Sequence, residues 1–232
     1  MKQPSIPALR TWHAHEQRVL EVVCLALADL QAAERLPTDE PALNRELHSC
    51  LCRVNVRLLR QGRGVLSPFV WEAQNQPLID DEMGAVREDK RPDFQCGFVN
   101  LQEGDDDRAS MFYTIECKRL GRPANRWVFN ANYVEKGIVR FVTEEHGYGK
   151  ATPSGAMVGY VQSMELNDIL GEVNAAVEKR SLPAIVLARS GWHENPVARL
   201  DHTLTRPVSL LSPFDLRHLW VDIRNRRSRP SN

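Results

Sequence analysis

The sequence has no excess of charge of either sign, because 30 Lys and Arg residues balance 30 Asp and Glu residues. It therefore lacks the basic composition common in nucleic-acid-binding proteins, although phosphate attraction depends on local charge and is not excluded. No stretch approaches the ~20 consecutive apolar residues that a membrane-spanning helix needs. Residues 1–12 also lack the continuous apolar segment of a signal peptide. These absences predict a protein with no membrane partner.

Cysteine is sparse, and its positions form no recognisable pattern. The five cysteines are Cys24, Cys50, Cys52, Cys96 and Cys117. Their odd number and scattered positions argue against a disulfide framework and favour a location in the reducing cytoplasm. Cys50 and Cys52 have no matching His or Cys pair nearby, so their spacing does not fit a structural zinc site.

The hydrophobic pattern of the 232 residues predicts an α/β domain. The predicted helices cover residues 12–35, a segment from the cap at Thr38 or Asp39 to residue 61, residues 125–145, and a segment that begins at residues 167–168. The predicted strands cover residues 69–74, 93–99, 111–118 and 156–162, and residues 182–188 are either another strand or an extension. Residues 209–223 mix strand and helix signals. This order predicts an α/β sandwich with a mixed central sheet flanked by helices.

The chain divides into three predicted segments. Residues 1–36 form an N-terminal helical extension, residues 37–223 form the main domain, and residues 224–232 form a basic tail that is expected to be disordered. The extension either covers the sheet or serves as an interface with another protein, and the sequence leaves both interpretations open.

One group of residues carries recognisable chemistry. Asp93 opens one predicted strand, and Glu116 and Lys118 close the next. Glu116 and Lys118 are two positions apart, so in a strand they point to the same side. Pairing of the two strands would bring Asp93 beside them. The two carboxylates can then bind Mg²⁺ together with the main-chain carbonyl of Cys117, and Lys118 can orient or help deprotonate the attacking water.

Pro92-Asp93, followed after 23 residues by Glu116-x-Lys118, resembles the motif of the PD-(D/E)XK nuclease superfamily, also called restriction-endonuclease-like. The resemblance covers residues 40–180, where the predicted order of elements matches the superfamily's α-β-β-β-α-β core. It implies a restriction-endonuclease-like sandwich and a metal-dependent endonuclease that uses Mg²⁺, with Mn²⁺ able to substitute. It also assigns Asp93 and Glu116 to the metal and Lys118 to catalysis.

The resemblance further implies an acidic metal ligand from the helix before the first strand of the sheet. Glu46 is the preferred candidate, because it lies one residue from the apolar stripe of the second predicted helix. Glu40 in the first turn and Glu72 on the first strand are the weaker candidates. The competing interpretation is that Glu46 is an ordinary surface acid.

Polar residues near the motif are candidates for binding nucleic acid. Arg119, Arg122 and Arg126 follow the Glu-x-Lys motif and form a basic cluster that can hold backbone phosphates near the metal. Gln162 ends a later strand and resembles a polar residue that some relatives place near the site. Ordinary surface arginines are the alternative interpretation.

A narrower resemblance, to small restriction-like proteins of bacterial defence loci, rests on the segment 155–161, on Tyr133-x-Glu135-x-Gly137 and on Asp201-His202. It implies action on foreign DNA. Cutting both strands often needs two sites, so a homodimer or a partner protein of a defence system is expected. Two alternatives remain open at this point. One is a module of the same fold that binds nucleic acid or a partner without cutting, and the other is an RNA nuclease.

Overall fold

A computed structural model describes residues 11–75, 86–87, 89–101, 103–105, 108–124, 128–188, 196–224 and 227–228. The helices are α1 (Trp12–Gln31), α2 (Glu40–Arg60), α3 (Phe129–Tyr133), a π-helical turn (Val134–Ile138), α4 (Val139–Val142) and α5 (Leu166–Lys179). The strands are β1 (Arg35–Leu36), β2 (Phe69–Trp71), β3 (Phe94–Val99), β4 (Ser110–Leu120), β5 (Ser154–Val161), β6 (Val186–Leu187), β7 (Val197–Leu204), β8 (Phe214–Asp222) and β9 (Arg227–Ser228).

Seven strands form one open mixed sheet in the order β2-β3-β4-β5-β8-β7-β6. The central strands β4, β5 and β8 run parallel to one another, and the pairs on either side of them are antiparallel. Every residue of β5 is buried, as expected for a strand covered on both faces. The predicted α/β class and mixed sheet are therefore confirmed.

Helix α2 forms where a capping signal and a helical apolar stripe coincide. The Asp39 carboxylate accepts a hydrogen bond from the backbone N–H of Ala42 at 2.9 Å, which satisfies one free donor of the first turn. Pro41 fits at this helix start because it needs no hydrogen-bond donor there. The apolar stripe faces the sheet and consists of the buried residues Leu43, Leu47, Leu51, Val54 and Leu58.

Two helical layers enclose the sheet. The first layer, α1 and α2, packs on the face that carries Ile115, Cys117 and Tyr160. The second layer, α3 to α5 with the π-helical turn, packs on the opposite face, which carries Met157 and Trp220. Helix α1 shares the core of the first layer and contacts β3, β7 and β8, so it covers the sheet.

The structure differs from the predicted elements at several places. Helix α1 ends at Gln31, four residues earlier than expected. Strand β8 lies within residues 209–223, where the sequence pattern gave no firm assignment, and β7 at residues 197–204 was not predicted. The long helix expected over residues 125–145 is divided by the π-helical turn, and its first three residues lie outside the described part of the chain.

Residues 224, 227 and 228 of the basic tail belong to the described part of the chain. Arg224 forms ion pairs with Asp222 and Glu165. Residues 227–228 pair in parallel with residues 35–36. In the described ranges, no helix has both the length and the apolar character required to cross a membrane.

Candidate active site

The antiparallel pairing of β3 with β4 brings Asp93 beside Glu116. Phe94 pairs with Ile115, so the residue before Phe94 lies next to the residue after Ile115. The Asp93 Oδ2 atom accepts a hydrogen bond from the backbone N–H of Cys117 at 2.7 Å. The expected hairpin is therefore present, and it places both acids of the motif at one position along the sheet.

The ammonium group of Lys118 lies among four oxygen atoms. It donates hydrogen bonds to Glu40 Oε1 at 2.8 Å, to Glu116 Oε1 at 2.8 Å and to the carbonyl oxygen of Cys117 at 2.7 Å. Asp93 Oδ2 is 3.8 Å from the same nitrogen. We call these four oxygens the oxygen cage. Three elements supply it: helix α2, the segment before β3, and strand β4.

Helix α2 contributes Glu40 to this cluster. Glu46, the preferred sequence candidate, lies six residues further on, which is about 9 Å along the helix axis and on a different face. Glu40 was the weaker candidate because it sits in the first turn, yet this turn abuts the end of β4. Glu72 is exposed, and its backbone N–H donates to the carbonyl oxygen of Asp93 at 3.1 Å.

Asn44 orients the Asp93 carboxylate and was missed by the sequence analysis. Its side-chain amide donates to Asp93 Oδ1 at 2.9 Å, and its own oxygen accepts from the hydroxyl group of Tyr160 at 2.9 Å. Asn44 and Tyr160 are both buried. The available signal was a polar residue next to the apolar stripe, four positions after Glu40 and so on the same helix face.

Glu116 is completely buried and has unequal carboxylate oxygens. Oε1 accepts from Lys118 and also from Arg140 Nη1 at 2.6 Å, whereas Oε2 accepts no hydrogen bond from any described residue. A buried carboxylate oxygen without a partner is costly, because burial has removed its contact with water. The sequence analysis did not identify Arg140, which lies 24 residues from Glu116.

The π-helical turn determines how Arg140 and Lys118 meet this cluster. A π turn holds an extra residue, so the residues after it are rotated by about 100° relative to a continuous α-helix. A Cβ atom built on Gly137 would lie 2.4 Å from Met157 Cε and 3.4 Å from Lys118 Cγ. Glycine at this position therefore allows the turn to approach β4 and β5 closely.

Burial and mutual repulsion shape the electrostatics of the site. Burial raises the pKa of Asp93 well above its usual value, and the Glu116 charge adds to this rise. Burial also raises the pKa of Glu116. The surrounding carboxylates raise the pKa of Lys118 despite its burial. With all five groups ionised, the three carboxylates exceed the two cations, Lys118 and Arg140, by one negative charge.

The donor set fits a hard divalent cation. It combines three carboxylates with a main-chain carbonyl, which are ligand types preferred by Mg²⁺ and Mn²⁺. Glu116 Oε2 has no partner among the described residues, and an added cation would relieve the repulsion between the carboxylates that raises the pKa of Asp93. Within the described residues, no three His, Cys, Asp or Glu side chains surround a common metal position. The Lys118 ammonium group lies between the carboxylates instead.

The predicted nucleic-acid-binding residues differ in their surroundings. Arg119 Nη1 and Gln162 Nε2 donate to the carbonyl oxygen of Thr38 at 3.2 and 2.8 Å, so both side chains fix the segment that precedes Glu40. Arg122 is exposed. The remaining candidate, Arg126, lies outside the described residues. Of the two arginines that the structure describes, Arg119 and Arg122, only Arg122 is exposed to solvent.

Comparison with known proteins gives no relative: no family model, curated protein or solved structure matches the chain.

Proposed function

We propose that the protein is a metal-dependent nuclease that hydrolyses phosphodiester bonds of nucleic acid, with DNA as the favoured polymer. The observation that carries the proposal is the convergence of Glu40, Asp93 and Glu116 on Lys118 at the end of β4. Mg²⁺ is the proposed cofactor, and Mn²⁺ is expected to substitute for it.

In this proposal, Asp93, Glu116 and the Cys117 carbonyl hold the metal, and Glu40 is the third acid. A bound divalent cation would polarise the phosphoryl group and lower the pKa of water. Lys118 orients the attacking water and offsets the negative charge that develops on the phosphoryl oxygens. Arg140 keeps the Glu116 carboxylate directed at the site. Two helical layers limit the access of bulk water, which strengthens these interactions.

The order of elements supports membership of the restriction-endonuclease-like fold and the PD-(D/E)XK superfamily. Helix α2 precedes the three strands β2, β3 and β4, and the segment from α3 to α4 then leads to β5. The first acid of the motif precedes β3, and Glu116-x-Lys118 lies near the end of β4. This is the α-β-β-β-α-β order that the motif implies, with the motif residues on the expected elements.

The proposal is tested by incubating the purified protein with plasmid, linear and single-stranded DNA and with RNA, in the presence of Mg²⁺, Mn²⁺ or EDTA. The decisive variant is Lys118→Ala, and its matched control is Lys179→Ala on the exposed surface of α5. We expect metal-dependent cleavage that Lys118→Ala abolishes and Lys179→Ala retains. Cleavage of RNA alone would identify an RNA nuclease. Binding without cleavage by the folded wild-type protein would identify a binding module.

We further propose a role in cytoplasmic defence against foreign DNA, in a homodimer or with a partner protein. The balanced charge of the chain favours the involvement of a second subunit, because a partner could then supply part of the positive charge that binds phosphates. Light scattering coupled to gel filtration, with and without DNA, would measure the assembly. A monomer that cleaves both strands without a partner would contradict this part.

A further inference from the structure

We propose that the oxygen cage is a single cation site with two alternative occupants, the ammonium group of Lys118 and a divalent metal ion. Metal entry then displaces Lys118 from the cage. The inference rests on the proposed function for the identity of the second occupant. It adds that Lys118 holds the site together before metal binds and is released when metal arrives.

The geometry of the cage supports one occupant at a time. Lys118 Nζ lies 2.7–2.8 Å from three of the oxygens, those of Glu40, Glu116 and Cys117. These are the same hard donors that an ion would use, at about 2.1 Å for Mg²⁺. A divalent ion and an ammonium group a few ångströms apart repel strongly where water is scarce. Both cations therefore cannot share these oxygens.

Arg140 keeps Glu116 in place during the exchange. Its guanidinium, carried by α4, donates to Glu116 Oε1 and to no other oxygen of the cage, and its charge lies over the ring of Tyr148 at 5.9 Å. When Lys118 leaves, Oε1 retains the bond from Arg140, while Oε2 has no other described partner. A second positive charge thus stays beside Glu116 and holds its carboxylate for the metal.

The surroundings of Lys118 allow the ammonium group to move. The lysine stem has several rotatable bonds, so the ammonium group can move while the backbone of β4 stays in place. The most exposed carboxylates of the cage are Glu40 and Asp93, with 25% and 17% of their side chains accessible, against 0% for Glu116. The opening therefore lies on the side of Glu40 and Asp93, where Lys118 can meet water and a substrate phosphate.

Calorimetric titration with Mg²⁺ and Mn²⁺ tests the exchange without any activity measurement. We expect Lys118→Met to bind metal about tenfold more tightly than the wild-type protein, because the competing cation is gone. Arg140→Met removes the same charge from a group that contacts one oxygen of the cage instead of three, so we expect it to give no such gain. Lys179→Met is the exposed control and is expected to leave the dissociation constant unchanged.

The outcomes separate this inference from the proposed function. If wild-type protein binds metal and Lys118→Met binds it no more tightly, the exchange is refuted and the nuclease proposal stands. An equal gain in Lys118→Met and Arg140→Met would also refute it, since the effect would then arise from net charge alone. If neither the wild-type protein nor Lys118→Met binds metal, both proposals fail.

A second measurement uses the unaltered chain, in case Lys118→Met does not fold. The six lysines, which lie at positions 2, 90, 118, 136, 150 and 179, can be resolved by peptide mass spectrometry after brief acetylation. Lys118 is buried without metal, so we expect slow labelling that rises severalfold with saturating Mg²⁺, relative to exposed Lys179. Unchanged or slower labelling of Lys118 under metal-saturated conditions would refute the displacement.

Discussion

Asp93 is part of the oxygen cage, and its burial lowers the stability of the folded protein when its carboxylate is ionised. Its carboxylate is held by Asn44 and by the backbone of Cys117, yet burial and the charge of Glu116 oppose its ionisation. The folded protein therefore binds a proton at Asp93 more tightly than the unfolded chain does. Stability attributable to this group is present at low pH and is lost as pH rises from the unfolded pKa through the raised folded pKa.

Because the raised pKa of Asp93 makes stability fall as pH rises, it leads to a prediction for Asp93→Asn in the metal-free protein. The substitution removes the unfavourable buried charge, so the free energy of unfolding at pH 7–8 is expected to rise by about 1 kcal/mol, and its decline with pH should flatten. Urea denaturation between pH 5 and 8 measures both effects. Asp168→Asn, at an exposed position in α5, is the control. An unchanged pH dependence in Asp93→Asn would contradict the prediction.

Helix α2 carries two glutamates, Glu40 and Glu46, and the same substitution at each tests which of them contributes to the site. Glu40→Gln removes a carboxylate of the oxygen cage, so we expect metal affinity to fall at least tenfold and cleavage to fall about a hundredfold. Glu46→Gln alters a side chain six positions away and is expected to change neither. Calorimetry and a cleavage assay on both variants decide which acid serves the site. A larger loss in Glu46→Gln would restore the assignment made from sequence.

Among the elements, the π-helical turn between α3 and α4 has the largest effect on the site. The apolar periodicity predicted a helix in this region, and the structure has one, but a single extra residue in one turn changes which side chains face β4. The local sequence does not indicate such a turn. The turn packs against β4 and α5, which come from other parts of the chain.

Gly137 and Gly171 provide a matched pair of helical glycines. At Gly137 an added methyl group would meet Met157 at 2.4 Å, whereas at Gly171 nothing lies within 4 Å. We expect Gly137→Ala to lower the free energy of unfolding by about 1 kcal/mol, because the terminal methyl group of the buried Met157 must move within a packed core. Gly171→Ala should raise it by up to about 1 kcal/mol. Thermal or urea unfolding checks both, and equal changes would contradict the packing described.

At the level of the whole molecule, buried Arg206 joins the second helical layer to the sheet. Its guanidinium donates to carbonyl oxygens that include those of Phe141 and Tyr148, and it stacks on Phe214 at 3.9 Å. Burial lowers the pKa of Arg206 to about 10. The side chain therefore satisfies several loop carbonyls at once, on the connection that leads from α4 to β5.

Removing this side chain should weaken the whole fold. We expect Arg206→Met to lower the free energy of unfolding by about 3 kcal/mol, because several buried carbonyls would lose their donor together. Arg122→Met, at an exposed position, is the control and should change stability by less than about 0.5 kcal/mol. Urea denaturation monitored by tryptophan fluorescence measures the difference. Similar stabilities for the two variants would contradict this role.

The sequence by itself determined the features that depend on local periodicity. The apolar stripe and a capping signal at Thr38 or Asp39 were sufficient to predict α2, and the two-residue repeat of a strand was sufficient to place Glu116 and Lys118 on one side of β4. The proximity of Asp93 followed from one assumption, that two consecutive strands pair. These features involve neighbours in the chain, so their pattern is visible without the fold.

Only the tertiary structure decided which distant side chains complete the site. Glu40 rather than Glu46 reaches Lys118, across 78 positions of sequence, and Arg140 reaches Glu116 from the other helical layer. Both contacts depend on where each helix lies along β4. They also depend on how the helix is rotated about its own axis, because this rotation decides which side chain faces the strand. These distances arise from the packing of two layers against the sheet, and hydrophobic periodicity specifies the buried face of a helix but not its position along that sheet.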